Sequence, residues 1–282
     1  TAYEIRLSLV GSEMCIRDRE IINDELMHKM TSGTDQAQRK QDFDQVQKIF
    51  AENLPVIYQF HGLGGSHLGG QLNALPASYE SARAAGIIGP AIIVFANGYT
   101  NSFWADSVSG HKPAETNVVQ ELIPYVDAHY RTVADRTGRV SQGFSMGGFG
   151  ASKFATKFPE LFGVCVNYDG AMLTWERIEA MHGDIATEIF GNDGAYFDDY
   201  SPWRWAAENA KRLAANTAFR TVVGALEGGN RDFRDHLNAL GIVVDYVETD
   251  QPHSMDAMLQ VQGAQTWAFI AEHLGEAGPV CG

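Results

Sequence analysis

The stretch Gly143-Phe144-Ser145-Met146-Gly147-Gly148-Phe149-Gly150 decides the fold. It contains G-x-S-x-G, the pattern of a nucleophile elbow, in which a serine sits on a tight turn between a strand and a helix with its hydroxyl pushed out of the backbone. Gly143 and Gly147 keep side chains out of a crowded turn, and Gly148 lets the following helix pack closely. The flanks supply the setting such a turn needs. Arg139-Val140-Ser141-Gln142 can extend as a short strand, and Ala151 to Phe158 is helix-competent up to the stop at Pro159.

Outward from the elbow, strands and helices alternate. Val56-Ile57-Tyr58-Gln59-Phe60 and Ala91-Ile92-Ile93-Val94-Phe95 read as buried strands. A helix is predicted around Tyr79 to Ala85, and another over Glu115 to Tyr130 with a kink near Pro124. After the elbow come a strand at Phe162 to Asn167, an irregular aromatic stretch from Met172 to Tyr200 read as a cap or pocket wall, and a helix over Pro202 to Ala215. Strands at Phe219 to Val223 and Gly241 to Val247, with helices at Asp232 to Leu240 and Ser254 to Leu274, complete the pattern. Such alternation predicts an α/β fold, a mostly parallel sheet with helices on both faces.

The composition fits one domain of that kind: 282 residues, 45% hydrophobic and 20% charged. A net charge of −14 argues against nucleic-acid and anionic-membrane partners, which want basic patches. Ala84 to Ala96 is the longest apolar stretch, and Gly86, Gly89 and Pro90 break it, so no membrane span is expected. The three cysteines, Cys15, Cys165 and Cys281, form neither a disulfide framework nor a metal-ligand spacing, and Cys165 reads as an inert buried thiol. At the start, Leu9 to Arg19 resembles one reading frame of a transposase-based sequencing adapter. Residues 1–19 are therefore expected to be an artefact, 20–53 an N-terminal segment of open structure with a possible amphipathic helix, and 54–282 the catalytic domain. The true start, and with it any leader and the localisation, is then out of view.

A serine needs a histidine base to attack an ester, and the histidine needs an acid to orient it. In elbow-bearing folds these follow in chain order serine, acid, histidine. His253 fits the base, lying in the loop Thr249 to Ser254 between the last strand and the last helix. For the acid, Glu227 is the first candidate because it lies just beyond the strand before His253; Asp169 and Asp232 remain alternatives. An oxyanion needs preorganised backbone N–H groups. Met146, directly after the serine, supplies one. The glycine-rich loop His61-Gly62-Leu63-Gly64-Gly65 supplies the second, with Leu63 first and Gly64 next, which also places Gly64 among the substrate-binding positions. That loop lacks the spacing of a phosphate or dinucleotide loop.

Taken together, Tyr58 to Gly65, Glu121-Leu122-Ile123-Pro124-Tyr125-Val126-Asp127, Tyr130-Arg131-Thr132, Asp135-Arg136 and Gly143 to Ala151 resemble the esterase D family. That family includes feruloyl and acetyl esterases of carbohydrate esterase family 1, S-formylglutathione hydrolases and mycolyltransferases. The resemblance runs from about Leu54 to Leu274. It implies an α/β-hydrolase fold and a serine esterase forming an acyl-enzyme without cofactor or metal, on a small-molecule or carbohydrate ester. Acyl transfer, thioester hydrolysis and a silent binding module are the alternatives. By similarity, the loop carrying Trp104 and Asp106 lines the acyl site. Two departures stand out: Glu20 to Glu52 does not read as the antiparallel β-region that usually precedes the first core strand, and the family's acid is more often Asp than the Glu found at position 227.

Overall fold

The five inner strands of the sheet are covered on both faces, and such strands read as largely apolar runs. Val56–Phe60 (β2) follows that pattern: all five residues are buried, with Val56, Tyr58 and Phe60 in the core on one face and Ile57 in the core on the other. The computed structural model describes residues 7–9, 53–69 and 71–275. Its sheet contains β2, Ile92–Phe95 (β3), Arg139–Phe144 (β4), Val164–Tyr168 (β5), Ala218–Val223 (β6) and Val244–Glu248 (β7), all parallel, with a short edge strand Leu7–Leu9 (β1) antiparallel to β3. The spatial order is β1-β3-β2-β4-β5-β6-β7. β1 falls inside the segment read as adapter-derived, with β3 and β2 between it and β4. The possible amphipathic helix of residues 20–52 lies outside the described residues.

Gln71–Ala84 (α1) and Met255–His273 (α10) cover one face. On the other lie a helical segment built from Ala114–Thr116, Asn117–Leu122 and Ile123–His129 (α2) and the helix Met146–Lys157 (α3). The expected kink in α2 takes the form of a π-helical stretch. Pro124 has no N–H, and the Ile123 N–H just before it reaches back five residues to Val118. Met172 to Tyr200 is more ordered than its sequence suggests, forming Trp175–Met181 (α4), Gly183–Glu188 (α5) and Gly194–Asp198 (α6). Helices this short are stabilised by the aromatic core under them (Trp175, Phe190 and Phe197 pack mutually), which no local pattern reports. The helix read over Pro202 to Ala215 is two, Pro202–Glu208 (α7) and Ala210–Asn216 (α8), parted at Asn209. Glu227–Ala239 (α9) begins five residues earlier than read, which matters for the site.

Candidate active site

Ser145 adopts φ 58° and ψ −121°, a backbone region disfavoured for any residue with a side chain. The neighbours over-determine it. The Ser145 N–H donates to the Tyr168 carbonyl at 3.0 Å, while its own carbonyl accepts from Gly148, Phe149 and Ala171 at 2.9–3.1 Å. The glycines of the motif are steric requirements: a Cβ at Gly143 would stand 2.0 Å from the Gly147 carbonyl oxygen, and one at Gly147 2.0 Å from that of Phe60. The turn thus closes between β4 and α3 and locks onto β2.

His253 lies beyond the end of β7, its ring packed on Phe144 with 4.5 Å between centroids. Its Nε2 is 2.9 Å from Ser145 Oγ, and its Nδ1 is 2.6 Å from Asp169 Oδ2. Asp169 is wholly buried at the end of β5. Its Oδ1 accepts from the backbone N–H groups of Gly224 and Leu226 at 2.9 and 3.0 Å. Of the three acids the sequence offered, the structure therefore brings Asp169 to His253 and not Glu227. The reason is local: residues 224–226 turn back over the sheet and donate to Asp169, so the loop expected to carry the acid holds it instead. Glu227 follows as the first residue of α9, and Asp232 lies farther along the same helix.

Met146 is the first residue of α3, where the helix leaves its N–H without an intrahelical acceptor. Leu63 lines the same cleft as Ser145 and Met146. Gly64 does not join them: at φ +74° its N–H donates to the Thr100 carbonyl at 2.7 Å. Behind this loop His61 accepts from the Gly98 N–H at Nε2 (3.0 Å), which leaves the proton on Nδ1, 2.9 Å from the Gly62 carbonyl. Burial holds the His61 pKa below its ordinary 6.5, so it stays neutral in this role.

Residues 50–239 match the family described as "Putative esterase". The chain belongs to this esterase family. An esterase of Mycobacterium tuberculosis is 34% identical over 119 residues, 41% of this chain and 25% of that protein. An endo-1,4-beta-xylanase/feruloyl esterase of Xylanibacter ruminicola is 32% identical over 124 residues, 43% and 17% respectively. The chain thus matches a quarter or less of the length of these curated relatives. In fold, it resembles a ferulic acid esterase (TM-score 0.69, 20% identity, covering 81% of this chain and 89% of that one) and an S-formylglutathione hydrolase from Agrobacterium tumefaciens (TM-score 0.66, 21%, 81% and 87%).

In this esterase-family chain a cleft of about 480 Å³ opens over Ser145. Phe103, Met172, Leu173 and Met181 give it apolar walls; Arg177, His182 and Glu227 give it polar ones. The stretch read as a pocket wall contributes most of these, through the ends of α4 and the turn before it. Glu227 faces this cleft rather than His253's Nδ1. The two loop residues singled out by similarity do not reach it. Trp104 is fully buried against Phe60 and Phe154, and Asp106 binds the N–H and hydroxyl of Thr116 at the start of α2. Their neighbour Phe103 lines the cleft instead, with φ 49° turning it away from Trp104. Which of two adjacent aromatic residues faces a pocket depends on that backbone twist, and nothing in the local sequence encodes it. Cys165 is buried, and burial pushes its thiol up to about 12. No group of side chains among the described residues is arranged to hold a metal ion, and no described helix is long and apolar enough to cross a membrane.

Proposed function

We propose that the protein is a serine-dependent carboxylic ester hydrolase acting through an acyl-enzyme on acyl or aroyl esters of alcohols or sugars. One observation carries the proposal: the unbroken chain Ser145 Oγ–His253–Asp169, at 2.9 and 2.6 Å, with Ser145 lining an open cleft. His253 Nε2 takes the Ser145 proton as Oγ attacks the carbonyl carbon. Asp169 holds the imidazole in the tautomer whose Nε2 is free to accept and stabilises the imidazolium that forms. The oxygen of the tetrahedral intermediate is held by the N–H groups of Met146 and Leu63. His253 then protonates the leaving alcohol, and water, activated by the same base, releases the acid. The apolar walls suit an acyl or aroyl group, and Arg177, His182 and Glu227 suit a hydroxylated alcohol.

Ser145→Ala is expected to abolish p-nitrophenyl acetate hydrolysis and labelling by a fluorophosphonate; retention of wild-type rates by the folded variant overturns the proposal. A panel of methyl ferulate, acetylated xylan, short p-nitrophenyl esters and S-formylglutathione, with and without a sugar acceptor, separates oxygen-ester hydrolysis from thioesterase and transferase activity.

A further inference from the structure

Phe103 and Trp104 are consecutive residues with φ of 49° and 60°. Two adjacent left-handed residues with large side chains persist only where surrounding contacts over-determine them. Some of those contacts are local: the Trp104 N–H donates to Ser102 Oγ at 2.9 Å, and the Ala105 N–H to the Ser102 carbonyl at 3.0 Å. The others reach across the fold. The Trp104 carbonyl accepts from Lys153 Nζ at 2.5 Å, and the Trp104 indole N–H donates to the His61 carbonyl at 3.3 Å.

Lys153 is an unusual group to find there. Its side chain has no solvent exposure, although it lies on α3, two turns beyond Ser145. Its ammonium is 2.8 Å from Glu115 Oε2 on α2 and 3.9 Å from the Phe154 ring centre. The other charged or titratable groups facing it are Lys157 on α3, which also binds Glu115 at 2.7 Å, Asp106 on the loop, and the Tyr200 ring, 5.5 Å away. The ester chemistry derived above uses none of these. Burying a cation is expensive unless it is paired and hydrogen-bonded, so its placement calls for a reason.

We propose that Lys153 is a positioning residue for the reaction at Ser145: its charged amine fixes the Trp104 carbonyl, and through Trp104 sets both the Phe103 wall of the cleft and the loop that presents Leu63. The chain of contacts is continuous. Lys153 lies on the helix that begins directly after Ser145, with Ser145 at its N-cap position, so the nucleophile and the anchor are coupled through one rigid element. Trp104 grips the carbonyl of His61, two residues before Leu63, and its ring lies 4.9 Å from the His61 ring. A charge-assisted bond is about twice as strong as a neutral one, so the proton on Lys153 matters to the anchor. Burial brings its pKa down to about 8, with Glu115 acting to keep it from falling further.

This inference rests on the esterase reading, and its test uses two readouts that can fail separately. Lys153→Met, Glu115→Gln and wild type, each checked for a cooperative melt, are compared by amide exchange of residues 61–65 and 98–105 and by kcat and KM on p-nitrophenyl acetate from pH 6 to 10. Faster exchange in both segments is expected for Lys153→Met, with kcat down about tenfold and KM within about threefold. Wild-type kcat is expected to fall several-fold above about pH 8. Glu115→Gln moves that fall to lower pH, because it removes the anion that favours the charged amine, and Lys153→Met removes it. A change in exchange with no turnover by wild type leaves the anchor standing and refutes the esterase reading. Wild-type turnover with exchange, kcat and alkaline limb unchanged in folded Lys153→Met and Glu115→Gln overturns the role of Lys153.

Discussion

Replacing Asp169 by Asn tests the assignment of the acid more sharply than deleting it. Asp169 Oδ1 accepts two backbone N–H groups, from Gly224 and Leu226, and Oδ2 meets His253 Nδ1. In the Asn variant the amide oxygen must stay on the Gly224 and Leu226 side, since an NH2 there would face two donors. The NH2 group then points at His253 Nδ1 and forces that nitrogen to accept. The ring proton moves to Nε2, the atom 2.9 Å from Ser145 Oγ, and the base is lost while the shape is kept. Enforcing the wrong tautomer in a serine–histidine–aspartate arrangement lowers kcat by about 10⁴-fold, or about 5.4 kcal/mol in the barrier. Ala would be a poorer probe, leaving buried N–H groups unpartnered at about 1–3 kcal/mol each and confounding rate with stability. The assay is kcat and KM on p-nitrophenyl acetate for Asp169→Asn and Glu227→Gln, each with its thermal melt. Glu227→Gln is expected to stay within about threefold in kcat, its effect falling on KM for larger substrates through the cleft wall. An Asp169→Asn enzyme keeping a tenth or more of wild-type kcat, alongside a Glu227→Gln enzyme that is inactive, refutes the reasoning.

Two further outcomes follow from the same contacts. Trp104→Ala should cost about 3–5 kcal/mol as a core deletion and lower Tm by about 6–20 °C, reducing kcat through the His61 loop with KM for small esters within about twofold; a raised KM with an unchanged melt would mean that Trp104 binds substrate. His61 is held neutral, with a pKa lowered by burial, so the unfolded chain takes up its proton first as pH falls. Its contribution to stability is present above 6.5 and lost as pH drops below that value toward the lowered one, and comparing Tm at pH 7.5 and 5 should show a steeper acid loss for wild type than for His61→Asn.

The elbow was legible because its demands are local. Glycines at 143 and 147 are needed by atoms a few residues away or on the strand beside them, and their spacing survives in one dimension. His253 was legible for a similar reason, since a parallel sheet puts the loop after its last strand at the same edge as the elbow. Family membership follows from these motifs together, over residues 50–239. The acid was not legible. Asp169 and Glu227 both follow strands that end at that edge, and only the fold of residues 224–226 onto Asp169 separates them. The choice between Phe103 and Trp104 for the cleft was no clearer, because the twist at these two residues is imposed by Lys153, Ser102 and His61, side chains and carbonyls distant in sequence or set by a turn. The sequence alone determined the α/β framework, the elbow that carries Ser145 and the loop that carries His253, since these are written in steric patterns with a fixed chain order. Only the tertiary structure decided which carboxylate meets the histidine and which aromatic lines the cleft, because those choices are made by contacts through space.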